Sequence, residues 1–152
     1  MAQEKNLETK IKKFLTKQGI YHFKTKGSMF GKIGLPDLIL NFNGRFVAIE
    51  LKSKKGKASL EQLKNGYKIA ENNGIFAIID DFKKFLEFYQ DIAMNRTQIR
   101  HSLSYEELKE TYKELQDKTI NKEKIKEEKK QKEKENKKKK IENLKLIKNK
   151  VG

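Results

Sequence analysis

The sequence contains no cysteine and only two histidines, His22 and His101. A disulfide framework and a thiolate zinc site are therefore excluded, and two imidazoles are too few to replace the thiolates. Any catalytic metal has to be held by oxygen ligands. Long hydrophobic runs are absent too. The longest strictly apolar run covers residues 75–79, far below the roughly 18 residues of a membrane span. The opening MAQEKNLETK lacks the apolar centre of a signal peptide. The expectation is a cytoplasmic protein with no membrane partner and no disulfide partner.

Arginine is scarce as well, with only Arg45, Arg96 and Arg100, so the formal net charge of +15 is almost entirely lysine. Residues 118–150 carry 15 Lys against 6 Glu, a net of +9, which leaves +6 for the rest of the 152 residues. Both parts are basic, which favours a polyanionic partner such as DNA. The accompanying abundance of Asn and Ile is what an AT-rich genome produces without any selection for binding, so the charge by itself carries little weight.

Hydrophobic periodicity organises the chain. Leu7, Ile11, Phe14 and Leu15 predict a helix over residues 4–18, stopped by Gly19. Residues 20–26 alternate as a strand with one buried face, and residues 27–34, with three glycines, read as a loop. Two further strand-like runs, 37–42 and 45–52, are joined by Asn43-Gly44, the strongest short-range signal for a two-residue hairpin. Ser59 as N-cap and Gln62 three residues later open a helix over 59–72. A short strand at 75–79 and a helix over 81–93 follow, and the globular domain is expected to close near residue 93. Ser104 and Glu107 form a capping box, with Leu103 and Leu108 as a hydrophobic staple, so a helical extension is expected over 94–117. From residue 126 to 140 no apolar residue appears, which excludes a continuous coiled-coil seam. Residues 118–152 therefore read as a basic low-complexity helix or a disordered tail.

The hairpin turn fixes a register in which facing residues have numbers summing to 87. Asp37 then faces Glu50, and Lys52 lies on the same face, while Leu38, Leu40, Phe42, Val47, Ile49 and Leu51 form the core face. Two carboxylates with Cβ atoms about 4.5 to 5.5 Å apart repel each other unless a cation lies between them. Mg²⁺ meets that demand, since it takes oxygen ligands and is content with one or two carboxylates plus waters and substrate phosphate. Asp37 and Glu50 are the candidate metal ligands, the backbone carbonyl of Leu51 a further one, and Lys52 a group to orient the attacking water or neutralise the phosphorane.

Pro36-Asp37 followed by Glu50-Leu51-Lys52 resembles the PD-(D/E)xK nuclease signature. Within it, Gly34-Leu35-Pro36-Asp37-Leu38, Val47-Ala48-Ile49-Glu50-Leu51-Lys52, Gly56, Ser59 and Gln62 are similar to the VRR-NUC branch, which includes phage nucleases and structure-selective repair nucleases. The resemblance covers residues 4 to about 90. It implies a restriction-endonuclease-like α/β core of order α-β-β-β-α-β, with a mixed sheet flanked by helices and here a C-terminal lysine-rich helical extension. It further implies Mg²⁺ or Mn²⁺ as cofactor, a homodimer, DNA as partner, cutting of branched DNA, and a bacterial or phage-infected cell. It also implies a catalytic acid from the first helix as a further metal ligand, either Glu4 or Glu8. Glu8 is preferred, because its run to Gly19 also resembles the first helix of archaeal-type Holliday junction resolvases. Gly27-Ser28 falls where those enzymes have a Gly-Ser pair, and Gln62 corresponds to a glutamine that orients the lysine or the phosphate.

Simpler readings stand beside these. A bare Pro-Asp and Glu-x-Lys arise by chance in lysine-rich chains, and it is the facing register that sets this instance apart. Glu8 can be a surface acid pairing with Lys12, and Gln62 the capping partner of Ser59, a role compatible with one in the site. Lys54, Lys55 and Lys57 are either a solvated rim or, together with Ser28, DNA contacts beside the catalytic strand. His22 and His101 read as ordinary polar residues. The competing functions are a nickase or restriction-type nuclease and a non-catalytic DNA-binding accessory of the same fold.

Overall fold

The computed structural model describes residues 2–25 and 33–148, with side chains of the last helix described to residue 138. Helix α1 (Ala2–Lys17) leads into strand β1 (Tyr21–Lys24), and β2 (Leu38–Phe42) and β3 (Arg45–Leu51) form the hairpin. Helix α2 (Leu60–Glu71), strand β4 (Ile75–Ile79), helix α3 (Phe82–Ala93), strand β5 (Ser102–Leu103) and helix α4 (Tyr105–Lys148) follow. The five strands lie in sequence order in one mixed sheet, antiparallel except for the β3–β4 pair, which the α2 crossover makes parallel.

The hairpin has the expected register, from Phe42 opposite Arg45 to Leu38 opposite Ile49. Asn43 and Gly44 both take positive φ, 51° and 72°, as a type I′ turn requires. Continuing the ladder by one residue brings Asp37 opposite Glu50. On one face of the sheet, Leu38, Leu40, Val47, Ile49, Leu51, Ala77 and Ile79 pack against Leu7, Ile11 and Leu15 of α1 and Phe85, Phe88 and Ile92 of α3.

The other face is not the solvated surface that a single core face implies. Ala48, Phe76 and Glu50 are buried there, and α2 lies close enough that a Cβ on Gly66 would stand 2.6 Å from the Phe76 ring. A parallel pair is covered by its crossover helix, which is why β3 and β4 are buried on both sides. β1 departs from expectation in the opposite sense: it is a short edge strand whose Tyr21, Phe23 and Lys24 are exposed.

The sheet does not end with α3. Asp91 is fully buried and accepts hydrogen bonds from Arg96 Nη1 (2.9 Å), Arg100 Nε (2.8 Å) and the Arg100 backbone N–H (2.9 Å). This folds residues 95–101 back, so that Ser102–Leu103 pairs with Phe76–Ala77 and Leu108 is buried. The compact unit accordingly runs over Met1–Lys113 rather than closing near residue 93. The second unit, Glu114–Gly152, continues α4 as a helix to Lys148, with residues 116–138 all exposed. The capping box at its start is present: Ser104 N–H donates to Glu107 (2.8 Å) and Glu107 N–H to Ser104 Oγ (3.2 Å). Among the described residues no helix is long and apolar enough to cross a membrane.

Candidate functional site

Strand β3 reaches the site with Glu50 1 % exposed. Its Oε1 accepts from Lys52 Nζ (2.7 Å) and from Gln62 Nε2, while its Oε2 is buried with no hydrogen-bond partner. A buried carboxylate oxygen without a partner is costly, and native structures leave few of them. Burial, with the nearby Asp37 and Glu4 charges adding to it, pushes the Glu50 carboxyl up to about 7 despite the Lys52 bond.

Asp37 enters from the residue before β2, half-buried, and its Oδ2 accepts from the Leu51 N–H at 2.8 Å. Burial raises it above the ordinary carboxylate value, and the Leu51 N–H, Lys52 and Lys24 oppose the rise. Its backbone is fixed from β1: the Thr25 hydroxyl donates to the Pro36 carbonyl and the Thr25 N–H to the Asp37 carbonyl at 2.9 Å. Behind it, Gly34 at φ +78° lies so close to α2 that a Cβ would stand 2.5 Å from the Glu61 backbone. The Asn65 side chain ties the same stretch to α2 by donating to the Gly34 carbonyl at 2.8 Å. Only glycine fits that approach.

Gln62 is the expected capping partner of Ser59, and it also reaches the site, though its amide bonds Glu50 rather than the lysine. Its Oε1 accepts from the Ser59 N–H (2.8 Å) in a complete capping box, and its Nε2 reaches Glu50. Both first-helix acids, one turn apart, also lie at the site. Glu4 Oε1 accepts from the Ser53 N–H at 2.8 Å, and its charge acts on Glu50. Glu8 bonds Lys24 (2.6 Å) and Lys12 (3.5 Å), and its charge acts on Asp37. Burial would raise Glu8, but these two ammonium groups outweigh it and hold the carboxyl below its ordinary value. The expected i, i+4 pair with Lys12 is therefore present together with a longer-range pair to Lys24.

Lys54, Lys55 and Lys57 are exposed on the segment after β3. Ser28 lies outside the described residues. His22 Nδ1 bonds the Ile20 carbonyl (2.8 Å) and His101 Nε2 bonds Glu87 (2.7 Å), so neither imidazole joins the site.

Among the described residues no group of three or more acidic, histidine or cysteine side chains is clustered as a metal site. The side chains that could hold an ion are therefore the Asp37 and Glu50 carboxyls, while Glu8, the expected further ligand, is engaged by Lys24 and Lys12; the Leu51 carbonyl is the expected backbone oxygen. Two carboxylates and a carbonyl suit Mg²⁺ or Mn²⁺, which retain waters, and the partnerless Glu50 Oε2 is an oxygen that such an ion would satisfy. Lys24, Thr25 and Glu4 are the participants that sequence reasoning passed over or set aside. Compared with protein-family models and with curated proteins, the chain matches none.

Proposed function

We propose that this chain is a metal-dependent DNA endonuclease of the PD-(D/E)xK type, with a restriction-endonuclease-like, VRR-NUC-like core, acting on branched DNA. The observation that carries the reading is the facing Asp37 and Glu50 pair, sunk into the sheet with Glu50 Oε2 lacking a partner and Lys52 bonded to the same carboxyl. The element order α1-β1-β2-β3-α2-β4 agrees with the order that the resemblance implies. The net charge of +15 agrees with a polyanionic substrate.

Asp37, Glu50 and the Leu51 carbonyl would hold Mg²⁺ or Mn²⁺. When bound, the ion lowers the pKa of a water and offsets charge developing on the phosphate. Lys52 holds its ammonium beside the carboxyl pair, where a scissile phosphate would lie, and stabilises the negative charge of the transition state. Gln62 fixes Glu50 Oε1, which leaves Oε2 as the oxygen available to the ion. Glu8 keeps Lys24 close to Asp37.

The test is incubation of purified protein with labelled linear duplex, single strand, flap, splayed arm and four-way junction, in Mg²⁺ and in EDTA. Cleavage in Mg²⁺ alone, with branched DNA cut first, is expected. Equal cutting of linear duplex would favour the nickase or restriction-type reading. Absence of cutting on every substrate would leave a DNA-binding accessory and overturn the enzymatic reading.

A further inference from the structure

The sheet face that carries Asp37 and Glu50 continues past them, and α2 does not cover all of it. Tyr21, Asn41 and Phe46 form one row across β1, β2 and β3, and Phe23, Ile39 and Ala48 form the next. The third row is Thr25, Asp37 and Glu50, with Thr25 bonded to Asp37 through its N–H. Side chains two residues apart on a strand share a face, about 7 Å apart. The three rows therefore share one face, with the Phe23 row about 7 Å and the Tyr21 row about 13 Å from the carboxyl pair.

In those two rows the three aromatic side chains and Asn41 are exposed, while Ile39 and Ala48 are buried beneath them. Tyr21 is 70 % exposed, Phe46 50 % and Phe23 42 %, and the Tyr21 and Phe23 rings stand 6.2 Å apart. Every aromatic among the strongly exposed large apolar side chains of the described residues lies here. Two shallow grooves of about 310 and 370 Å³ border the rings, with Asn41 in one and Asn65 and Lys68 in the other.

Exposed aromatic rings on a sheet, flanked by amide groups and a cation, suit one ligand chemistry above others: unpaired nucleobases, which stack on rings whatever their identity. A second copy of this chain carries the same net charge of +15 and so offers no charge complementarity to the first, whereas a single-stranded polyanion does. We propose that Tyr21, Phe23 and Phe46 form a stacking platform for unpaired bases of the DNA strand that passes the Asp37–Glu50 pair. This rests on the nuclease reading for the identity of the strand, and it makes the substrate DNA with unstacked bases beside the cut rather than uninterrupted duplex.

The test is made in EDTA, so that binding is read without cleavage. Wild-type protein is irradiated with a single-stranded oligonucleotide carrying 5-iodouracil, and the adducts are mapped. Adducts on Tyr21, Phe23 or Phe46 are expected, and adducts confined to other segments would overturn the proposal. In parallel, the variant Tyr21→Leu/Phe23→Leu/Phe46→Leu, which keeps apolar bulk and removes the rings, is compared with wild type by fluorescence anisotropy. It should lose single-strand affinity by about five-fold or more per ring engaged, with duplex affinity unchanged. Equal losses on both substrates, or none, would refute the platform. So would a wild-type dimer in sedimentation that Tyr21→Glu/Phe46→Glu dissociates, since that face would then be covered by a second copy. Adducts and a selective loss without any metal-dependent cleavage would retain the platform and reject the nuclease reading. Cleavage without them would do the reverse.

Discussion

Replacing Glu50 by glutamine perturbs the site where its energetics are most one-sided. In the folded chain the carboxyl titrates near 7, against 4.5 for the free side chain, chiefly because it is buried. Between those values the folded state holds the proton and the unfolded state does not, so metal-free stability falls as pH rises through this window. At about 1.4 kcal/mol per pH unit, the full loss is about 3 kcal/mol, complete above about pH 7 and absent below about 4.5. Glutamine retains an acceptor for Lys52 and Gln62 without the charge. For a unit of this size the gain corresponds to a melting temperature higher by on the order of 10 °C. Calorimetry in EDTA at pH 5 and pH 8 reads it: variant and wild type should melt close together at pH 5, with the variant well above at pH 8. A gap that is absent at pH 8, or larger at pH 5, would refute the reasoning.

Lys52→Ala should abolish cleavage in single-turnover assays while calorimetric Mg²⁺ affinity stays nearly intact, because it removes a neighbouring positive charge and no ligand. Gly34→Ala should cost about 2 kcal/mol or more in urea unfolding, since it combines a left-handed backbone with a backbone clash against α2. Asp91→Asn should destabilise by about 1.5 to 3 kcal/mol, the range for hydrogen bonds to a charged group, and amide exchange should show β5 losing protection. Arg100 hydrogen bonds hold Asp91 down to about 2, so its contribution should be full above the free value of 3.8, decline as pH falls below it and be gone once pH has fallen through about 2. Deleting residues 118–152, which carry net +9, should flatten the salt dependence of DNA binding by about 0.9 in log–log slope for each phosphate that the lysines had neutralised. An unchanged slope would show that the lysine-rich helix touches no phosphate.

What the sequence revealed was local or strictly periodic. Asn43-Gly44 dictates its turn, the turn dictates the register, and the register brings Asp37 opposite Glu50 without any tertiary information. The Ser59–Gln62 and Ser104–Glu107 boxes are equally local. What stayed hidden depends on partners far along the chain. Glu4 meets Ser53 and Glu8 meets Lys24 only after α1 lies across the sheet. Strand β5 is two residues long and has no periodicity to read; it exists because Asp91 gathers Arg96 and Arg100. Burial of Ala48 and Glu50 follows from α2 covering the parallel pair, which alternation within a single hairpin does not encode. Lys24 reads as one polar residue in an alternating strand, and only its ion pair with Glu8 brings it into the site.

The central claim is that Asp37 and Glu50 together hold one divalent ion. Electron paramagnetic resonance of Mn²⁺ titrated into the protein at pH 8 tests it most directly. One ion per chain should bind to wild type, and that binding should be lost in both Asp37→Asn and Glu50→Gln while calorimetry shows each variant folded. Binding retained in either folded variant, or absent from wild type, would contradict the account.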